Sequence, residues 1–505
     1  MNLDLPLAFS RLAKTASVTQ TGGNGSDDAH RFTASCVLLT GEADILNTRN
    51  GAVCFQHTLR LLVRTTLHLT VQLPATSDAL LATAQAIAEQ VQFGATVHFT
   101  VGPVDLNTFD AIVNVGTAAH PALPWTSINS NGWLARVTSG ALPISGECGQ
   151  WNPIGALAAA SLGAAEVFKR LLPVRPERAA LFDSLTFSLE TYASNTDDPG
   201  PTLPAELHGD VLITGAGAIG NGVIALLSDL PLYGRIDIVD RQLFGTENLG
   251  TCLLIGPADV GQAKAEVLAS RLRTALVSSD VHAHLSPFEE LPFGAGGALP
   301  YHRVVVNGLD NVEVRHAVQR QLWPDVVIDG AIGALMCQVS RHPAEGDVAC
   351  LQCLFDLPAR EALTHQMEAT GLSPARLAQP DEPVTEADLL TAPEHQRPWL
   401  ASRIGQPICS VVSEGITQAL SAERQRQGFA PSVPFVACLS ACMAVAELVR
   451  HLEGRSTPLE TRFQFDVLRG PQSGSMLDQA RSGGCMCVQR RAAIVRFRTS
   501  LAPSS

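Results

Sequence analysis

The sequence is poor in basic residues, with 35 Lys and Arg against 48 Asp and Glu and a formal net charge of -13. A protein that binds nucleic acid irrespective of sequence needs a basic surface to displace the counterions around the phosphates. We therefore expect no nucleic-acid partner. The hydrophobic content of 46% in 505 residues is that of a globular protein, and this length allows roughly two to four domains.

Long uncharged apolar runs are also missing. The chain begins MNLDLPLAFSRLAKTASV, which lacks the apolar core of a signal peptide. No run of about 18 uncharged apolar residues follows, so we expect a cytoplasmic protein with no membrane partner. In a reducing compartment, the 12 cysteines are more often free thiols, metal ligands or nucleophiles than a disulfide framework.

Residues 211–250 have the pattern of a nucleotide-binding unit: an apolar strand, a glycine-rich turn, a helix and a second strand that ends at Asp240. Gly215, Gly217 and Gly220 let the backbone turn tightly and approach a phosphate, and a carboxylate after the second strand can bind ribose hydroxyls. No Gly-Lys-Ser/Thr follows the turn, which argues against a P-loop ATPase. Taken alone, the motif fits NAD as well as ATP.

Two later segments carry residues that suit a triphosphate. Lys264 lies in the first turns of a helix, from which its ammonium can reach phosphate oxygens, although an exposed helical lysine is usually only a solvated charge. A buried strand ends at Asp310, where ligands bind in open α/β sheets. A carboxylate there can hold Mg²⁺, and Arg315 can pair with it or with phosphate. Asp310 and Asn311 can equally serve only as a helix cap.

Two close pairs of cysteines, Cys350/Cys353 and Cys485/Cys487, can supply a tetrahedral Zn²⁺ site. The second pair is Cys-x-Cys rather than the usual Cys-x-x-Cys, and the alternative is four unligated buried thiols. Cys409 lies in Pro-Ile-Cys-Ser before a predicted helix, where the helix dipole lowers a thiol pKa and makes it nucleophilic. The alternative for Cys409 is a small buried hydrophobe.

Alternating strands and helices are predicted in two parts of the chain. The segment from about 34 to 115 alternates strands and helices like a doubly wound domain, but it has no glycine-rich loop. Residues 163–172 can be aligned with 444–453, matching Ala-Glu, a basic residue and a leucine. This predicts a weak internal duplication, although amphipathic Ala/Leu helices resemble one another in any case. The polar stretch 194–202 is the expected linker.

The ordered set of motifs resembles the ubiquitin-activating, ThiF-like adenylating family over about residues 205–500. The set comprises the glycine loop, Asp240, Glu247-Asn248-Leu249, Lys264, Leu309-Asp310-Asn311 and Arg315. The resemblance implies that Asp240 binds ribose, that Asn248 and Lys264 contact ATP, and that Asp310 binds Mg²⁺. It also implies that the four-cysteine zinc is structural.

Two departures from the family pattern stand out. Gln242 replaces an acidic residue two positions after the ribose aspartate, and Gly250-Thr251-Cys252 replace an arginine after the Asn-Leu pair. In the family an arginine from a partner domain or subunit also contacts the nucleotide. Arg60 and Arg64 are the candidates to substitute from the N-terminal half.

The resemblance implies an α/β fold with two Rossmann-like ThiF-type halves, of which the N-terminal half is degenerate and the C-terminal half active. We expect the boundaries to be 1–185 for the inactive pseudo-adenylation domain, 186–206 for a linker, 207–360 for the first part of the active domain, 361–430 for the catalytic-cysteine segment and 431–505 for the closing part.

By the same resemblance, the chain adenylates the C-terminus of a ubiquitin-like protein with ATP and Mg²⁺. It then forms a thioester on Cys409 and passes it to a conjugating enzyme, as in the activating enzymes of bacterial antiviral ubiquitin-like operons. We expect a monomer with two pseudo-symmetric halves, or a homodimer. The alternatives are a sulfur-carrier adenylyltransferase without the relay, an NAD-dependent oxidoreductase and a nucleotide-binding scaffold.

Overall fold

The computed structural model describes residues 4–19, 31–75, 78–172, 180–291, 299–309, 312–355, 359–379, 382–408, 411–412 and 432–501. The chain forms two compact units. The larger unit comprises Met1–Leu351 and Ala430–Ser505, and the smaller comprises Gln352–Phe429. The smaller unit therefore begins nine residues before the expected position 361, since 361 minus 352 is nine.

The larger unit contains a first sheet of seven strands in the order β3-β2-β1-β4-β5-β6-β7. The first five strands in this order are parallel, and β6 and β7 are antiparallel to their neighbours. The strands are β1 (Cys36–Gly41), β2 (His68–Gln72), β3 (Thr96–Thr100), β4 (Ala111–Val115), β5 (Trp125–Asn131), β6 (Leu134–Thr138) and β7 (Leu185–Ser188). The last strand extends this sheet beyond the expected boundary at 185.

The second large sheet has eight strands in the order β12-β11-β9-β13-β14-β15-β16-β17. Again the first five are parallel and the rest antiparallel. Its strands are β9 (Val211–Thr214), β11 (Arg235–Val239), β12 (Asp280–His284), β13 (Val304–Asn307), β14 (Val326–Gly333), β15 (Met336–Pro343), β16 (Arg462–Asp466) and β17 (Ser475–Leu477). A two-stranded parallel sheet pairs β8 (Leu207–His208) with β10 (Leu232–Tyr233).

The predicted α/β class with parallel-rich sheets is confirmed. Strands β9 and β13, with sequences VLIT and VVVN, are buried at every position, as expected for parallel strands covered on both faces. The order and orientations of the seven strands in the first sheet recur in the second, which has β17 in addition.

Helices of the larger unit pack around these sheets. In the first half they are α1 (Leu5–Ala8), α2 (Ser10–Thr19), α3 (Ala43–Leu46), α4 (Arg49–Leu62), α5 (Asp78–Val91) and α6 (Pro153–Leu171). In the second half they are α7 (Ala218–Leu227), α8 (Lys264–Ala275) and α9 (Val312–Leu322). They are followed, after the smaller unit in sequence, by α15 (Pro434–Leu452), α16 (Met486–Gln489) and α17 (Arg491–Leu501).

Between these groups lie α10 (Leu351–Leu354), α11 (Ala359–Thr370), α12 (Pro374–Leu377), α13 (Glu386–Thr391) and α14 (Arg397–Ala401). The smaller unit has its own apolar core, which includes Leu372, Val384, Leu400, Ile408 and Val411. In the sequence, Ile408 comes directly before Cys409, and Val411 comes two positions after it. The backbone around them is tied to the loop before α13, since Ile408 N donates to Glu382 O at 3.0 Å.

The helices α6 and α15 are each 19 residues long and pack against one another. By length and hydropathy α15 could cross a membrane, and it is the one such helix among the described residues. However, 89% of its apolar window is buried inside the protein. Its apolar character is that of a core helix.

The two long helices carry buried ion pairs at the positions aligned in sequence, Glu166–Lys169 in α6 and Glu447–Arg450 in α15. Lys169 Nζ donates to Leu468 O in the second half at 3.4 Å. Arg450 donates to the carbonyl oxygen of Leu189, at the end of the first sheet. Each helix thus contacts the opposite half through a basic residue at the aligned position.

Candidate active site

The glycine-rich turn joins β9 to α7, and two of its glycines are required by close backbone contacts. Gly215 has φ +92°, and a Cβ there would lie 3.0 Å from the carbonyl carbon of Gly308. A Cβ at Gly220 would lie 2.2 Å from Gly215 O. Gly217, which begins α7 as its N-cap, is different, because a Cβ there would meet nothing within 4 Å. The open space lies in front of the amide groups at the helix N-terminus, where a phosphate can bind.

The open space at Gly217 gives a direct test of nucleotide binding. We expect Gly217→Ala to fold normally, because its φ of -77° suits alanine, and to lose affinity for ATP because the methyl group occupies phosphate space. Losing one or two charged hydrogen bonds costs about 1.5–3 kcal/mol, or roughly 10- to 100-fold in Kd. Calorimetric titration with a non-hydrolysable ATP analogue measures it.

The matched control is Gly102→Ala in the first half, where the nearest atom to an added Cβ is Thr100 Oγ1 at 3.8 Å. This variant adds the same methyl group away from the glycine loop, so we expect it to bind ATP like the unmodified protein. Equal affinities in the two variants would show that the phosphates do not bind at Gly217.

Asp240, at the end of β11, closes the glycine turn against the second strand. Its Oδ2 accepts from Ala216 N and its Oδ1 from Gln242 N, both at 2.8 Å. A carboxylate oxygen accepts more than one hydrogen bond. Asp240 therefore shapes the loop and keeps acceptor capacity for the hydroxyl groups of a ribose.

Lys264 begins α8 and is only 6% exposed. Its Nζ donates to Gln242 Oε1 at 2.8 Å, and its backbone N donates to Gln242 O at 2.9 Å. The expected second carboxylate would have formed an ion pair in this place, whereas the amide of Gln242 binds the ammonium without neutralising it. Asn248 is buried beside this region and accepts from Gly245 N through Oδ1 at 2.9 Å.

A chain of buried polar groups runs across the ends of three parallel strands. Thr214 Oγ1 donates to Asn307 Oδ1 at 2.6 Å, and Asn307 Nδ2 donates to Asp329. Arg315 pairs with Asp329 at 3.3 Å and donates from Nε to Leu309 O at 2.6 Å. Burial raises the pKa of Asp329 to about 6, against the opposing effects of Arg315 and Asn307.

These contacts give Arg315 a definite place. It is 5% exposed and contacts Asp329 and the carbonyl oxygen of Leu309. Through these contacts Arg315 anchors the loop that leads to Asp310. The sequence reasoning did not include Asn307 or Asp329. The available signal was a polar residue at or near the end of each of two apolar strands, VVVN and VVID.

Two predicted residues, Asp310 and Cys409, lie outside the described residues, as does Asn311. Their proposed roles in Mg²⁺ binding and in nucleophilic catalysis therefore stay predictions.

The structure gives Arg64 a contact other than the expected phosphate. Its guanidinium is fully buried and donates to Cys252 O at 2.9 Å and Ile255 O at 2.7 Å. Burial lowers the pKa of Arg64 to about 9. The side chain holds the backbone of the loop that replaces the missing arginine. Burial lowers the pKa of Arg60 to about 10, with smaller electrostatic effects from Asp229 and Arg271.

A different arginine reaches this region from the N-terminal segment. Arg11 in α2 lies close enough to Cys252 to act electrostatically on its thiol, as Lys264 does. The preceding helix α1 contacts the turn at Thr246–Asn248, and Gly250 leaves room for Ala8 O, which would lie 2.3 Å from an added Cβ. Sequence spacing alone does not show this, because Arg11 and Thr251 are 240 positions apart.

The four predicted zinc ligands come together. The Sγ atoms of Cys350, Cys353, Cys485 and Cys487 lie within 4.8 Å of one another, and all four residues are buried. Cys350 Sγ and Cys485 Sγ are 3.6 Å apart. Zn–S bonds of about 2.3 Å in a tetrahedron place sulfur atoms roughly 3.8 Å apart. The donor set therefore fits a structural Zn²⁺, with no open position for a water molecule.

The parallel-rich sheet, the glycine turn at its edge and the polar residues at its strand ends define a nucleotide-binding α/β protein. The ThiF family model matches residues 207–487, and the chain belongs to the ThiF family. It is an adenylating enzyme of the ThiF/E1 superfamily, which favours ATP over the NAD alternative.

The chain is also similar to individual proteins, at sequence identities of 30% or less for those described next. The protein y4jF of Sinorhizobium fredii, described as uncharacterized, is 29% identical over 397 residues, covering 74% of each chain. The NEDD8-activating enzyme E1 catalytic subunit of Caenorhabditis elegans is 30% identical over 166 residues, 32% of this chain and 36% of that protein. This chain thus aligns with about a third of the length of that relative. Escherichia coli MccB with ATP gives a TM-score of 0.35 at 15% identity, covering 56% and 67% of the chains.

Proposed function

We propose that this protein activates the C-terminal carboxylate of a ubiquitin-like protein by adenylation and then carries it as a thioester on Cys409. The observation that carries the proposal is the similarity to NEDD8-activating E1 catalytic subunits, combined with a separate folded unit, Gln352–Phe429, that contains Cys409. The site described above supports the adenylation step.

In the first step a carboxylate oxygen of the modifier attacks the α-phosphorus of ATP. The bond between the α- and β-phosphates breaks, and pyrophosphate leaves with its electron pair. Lys264 stabilises the negative charge that develops on the phosphates, and the amides at Gly217 and the start of α7 position them. Asp310 is the residue that would hold Mg²⁺, which supplies further charge neutralisation when bound.

Arg11 is our candidate for the cation missing near Thr251, because it acts electrostatically on the neighbouring Cys252, as Lys264 does. Asp240 binds the ribose hydroxyls, while Arg315 and Asp329 hold the loop that carries Asp310. These assignments divide the site into residues that touch the nucleotide and residues that position them.

In the second step the Cys409 thiolate attacks the carbonyl carbon of the acyl-adenylate, and AMP leaves. The thioester then passes to a cysteine of a conjugating enzyme, in the manner of a covalent relay. The second candidate function is adenylation without this relay, as in sulfur-carrier adenylyltransferases. The family match favours it equally, because adenylation itself does not need Cys409.

Both steps can be tested with a candidate modifier encoded near the gene, ATP and Mg²⁺. We expect modifier-dependent ATP–pyrophosphate exchange and an adduct that reducing agents release. Cys409→Ala should keep the exchange and lose the adduct, whereas Cys36→Ser in the first half should keep both. An adduct that survives Cys409→Ala refutes the nucleophile, and loss of exchange in the unmodified protein refutes activation. Exchange without any adduct supports the sulfur-carrier alternative.

A further inference from the structure

The first half contains a counterpart of the strand-end polar chain in the active half. In each sheet a threonine on the central strand pairs with an asparagine on the next strand, and that asparagine pairs with a third polar residue. The equivalent positions are Thr40, Asn114 and Ser127 in the first half and Thr214, Asn307 and Asp329 in the second. Asn114 Nδ2 donates to Ser127 Oγ at 3.0 Å, as Asn307 donates to Asp329.

The same register identifies what the first half lacks. Leu73 N donates to Thr100 O, and Asp240 N donates to His284 O, each at 3.1 Å. Thr100 and His284 occupy equivalent ends of the outer parallel strands. Leu73, which is 1% exposed, therefore stands where the second half has its ribose-binding candidate Asp240. The first half has no carboxylate there for a ribose.

A carboxylate fills the gap between the loops after β1 and β4. Glu42 Oε1 accepts from Asn114 Nδ2 at 2.9 Å, from Thr117 N at 2.8 Å and from Ala118 N at 2.8 Å. Its Oε2 accepts from Thr117 Oγ1 at 2.9 Å. A Cβ at Gly116 would lie 2.3 Å from Oε1, so the loop closes directly over the carboxylate.

The donors around Glu42 are of the kind that bind a phosphate: two backbone amides, a side-chain amide and a hydroxyl. Partial burial opposes ionisation of Glu42, but the hydrogen bonds from Ala118, Asn114 and Thr117 prevail and lower its pKa. Glu42 is therefore an anion held in an anion-binding loop. By strand register Thr40 is equivalent to Thr214, so Gly41 and Glu42 stand at the positions of Gly215 and Ala216 in the glycine turn.

We propose that the Glu42 carboxylate occupies the phosphate position of a degenerate second nucleotide site, so that the first half binds no nucleotide and the chain binds a single ATP. Because Leu73 excludes the ribose contact, removal of the carboxylate opens a site for a small anion and not for ATP. The count of one ATP rests on the proposed function, whereas the anion site does not.

The test compares thermal unfolding in chloride and in inorganic phosphate at equal ionic strength. Glu42→Ala leaves four donors around an empty space, so we expect its Tm to fall by several degrees in chloride. Phosphate should restore at least about half of the loss in a saturable manner, as expected for a ligand that binds only the folded state. If Glu42→Ala does not fold in chloride, the refolding yield with and without phosphate gives the same comparison.

Two control variants separate this from a general effect of charge. Glu42→Gln keeps an acceptor oxygen and the bulk of the side chain, so it should show no selective response to phosphate. Glu89→Ala, an exposed position on α5, should behave like the unmodified protein.

Calorimetry should give one ATP per chain in the unmodified protein and in Glu42→Ala. The proposal is overturned if phosphate stabilises Glu42→Ala no more than Glu89→Ala, if the refolding yield does not depend on phosphate, or if the unmodified protein binds two ATP molecules. The phosphate test needs no modifier, so its failure leaves the adenylation proposal standing, and failure of the exchange assay leaves this one standing.

Discussion

Replacing Lys264 with methionine is expected to lower modifier-dependent ATP–pyrophosphate exchange by two to three orders of magnitude. Lys264 is 6% exposed and begins α8, beside the loop that follows Asp240. Its contact with Gln242 Oε1 is a hydrogen bond to a neutral amide, which does not neutralise the charge of the ammonium. Removing one preorganised group that stabilises developing charge typically costs about 10²–10³-fold in kcat. The rate should therefore fall more than the affinity for ATP, and steady-state exchange kinetics separate the two.

The matched variant is Gln242→Ala, which removes the observed partner of Lys264 and keeps the ammonium. We expect a much smaller effect on kcat, because the charge needed in the transition state is still present. Circular dichroism and unfolding curves establish that both variants are folded. If Lys264→Met retains its exchange rate, or if Gln242→Ala loses as much, the lysine is a structural residue and the proposed charge stabilisation is wrong.

Local patterns predicted the parts of this site that depend on neighbouring residues. The glycine turn, the strand before it and the strand that ends at Asp240 lie within 40 residues, and their spacing determines their geometry. The cysteine pairs were also predictable, because each pair is close in sequence and a tetrahedral metal needs two such pairs. The site's supporting contacts were not predictable in this way.

Those contacts depend on strand pairing. Asn307 meets Thr214 because β13 lies beside β9, and it meets Asp329 because β14 lies on its other side. The burial of Arg64 against Cys252 and Ile255 joins residues 188 and 191 positions apart. The family resemblance offered Arg64 as a phosphate contact because it is a basic residue in the N-terminal half. Its fully buried position shows that packing between the halves, which no local pattern encodes, decides the role of such a residue.

The internal duplication illustrates the same limit. The alignment of 163–172 with 444–453 rested on a few shared residues that any amphipathic helix can have. The structure adds buried Glu166–Lys169 and Glu447–Arg450 pairs at the aligned positions. A buried charge is costly unless it is paired and hydrogen-bonded. The same buried pair occurs in both long helices, so the residues matched in the sequence alignment have the same structural role in each helix.

Removal of zinc is expected to have the second large effect, on the C-terminal segment of the chain. The thiols of Cys485 and Cys487 meet Cys350 and Cys353, which lie more than 130 residues earlier. A Zn²⁺ ion would bind the four sulfur atoms as thiolates and so replace a cluster of unligated thiols with four metal–sulfur bonds. Structural zinc contributes about 10–16 kcal/mol of binding free energy in small domains, so its loss should release α16 and α17.

The change is Cys485→Ser, with Cys36→Ser in the first half as the matched control. We expect about one zinc per chain in the unmodified protein and in the control, measured by atomic emission, and close to none in Cys485→Ser. Limited proteolysis should then cleave Cys485→Ser within about residues 478–501, as it should the unmodified protein after treatment with a strong chelator. ATP–pyrophosphate exchange should fall only to the extent that release of this segment disturbs β16 and β17. Full zinc content in Cys485→Ser, or native cysteines that react freely with a thiol reagent in the zinc-loaded protein, would show that the four thiols pack together without a metal.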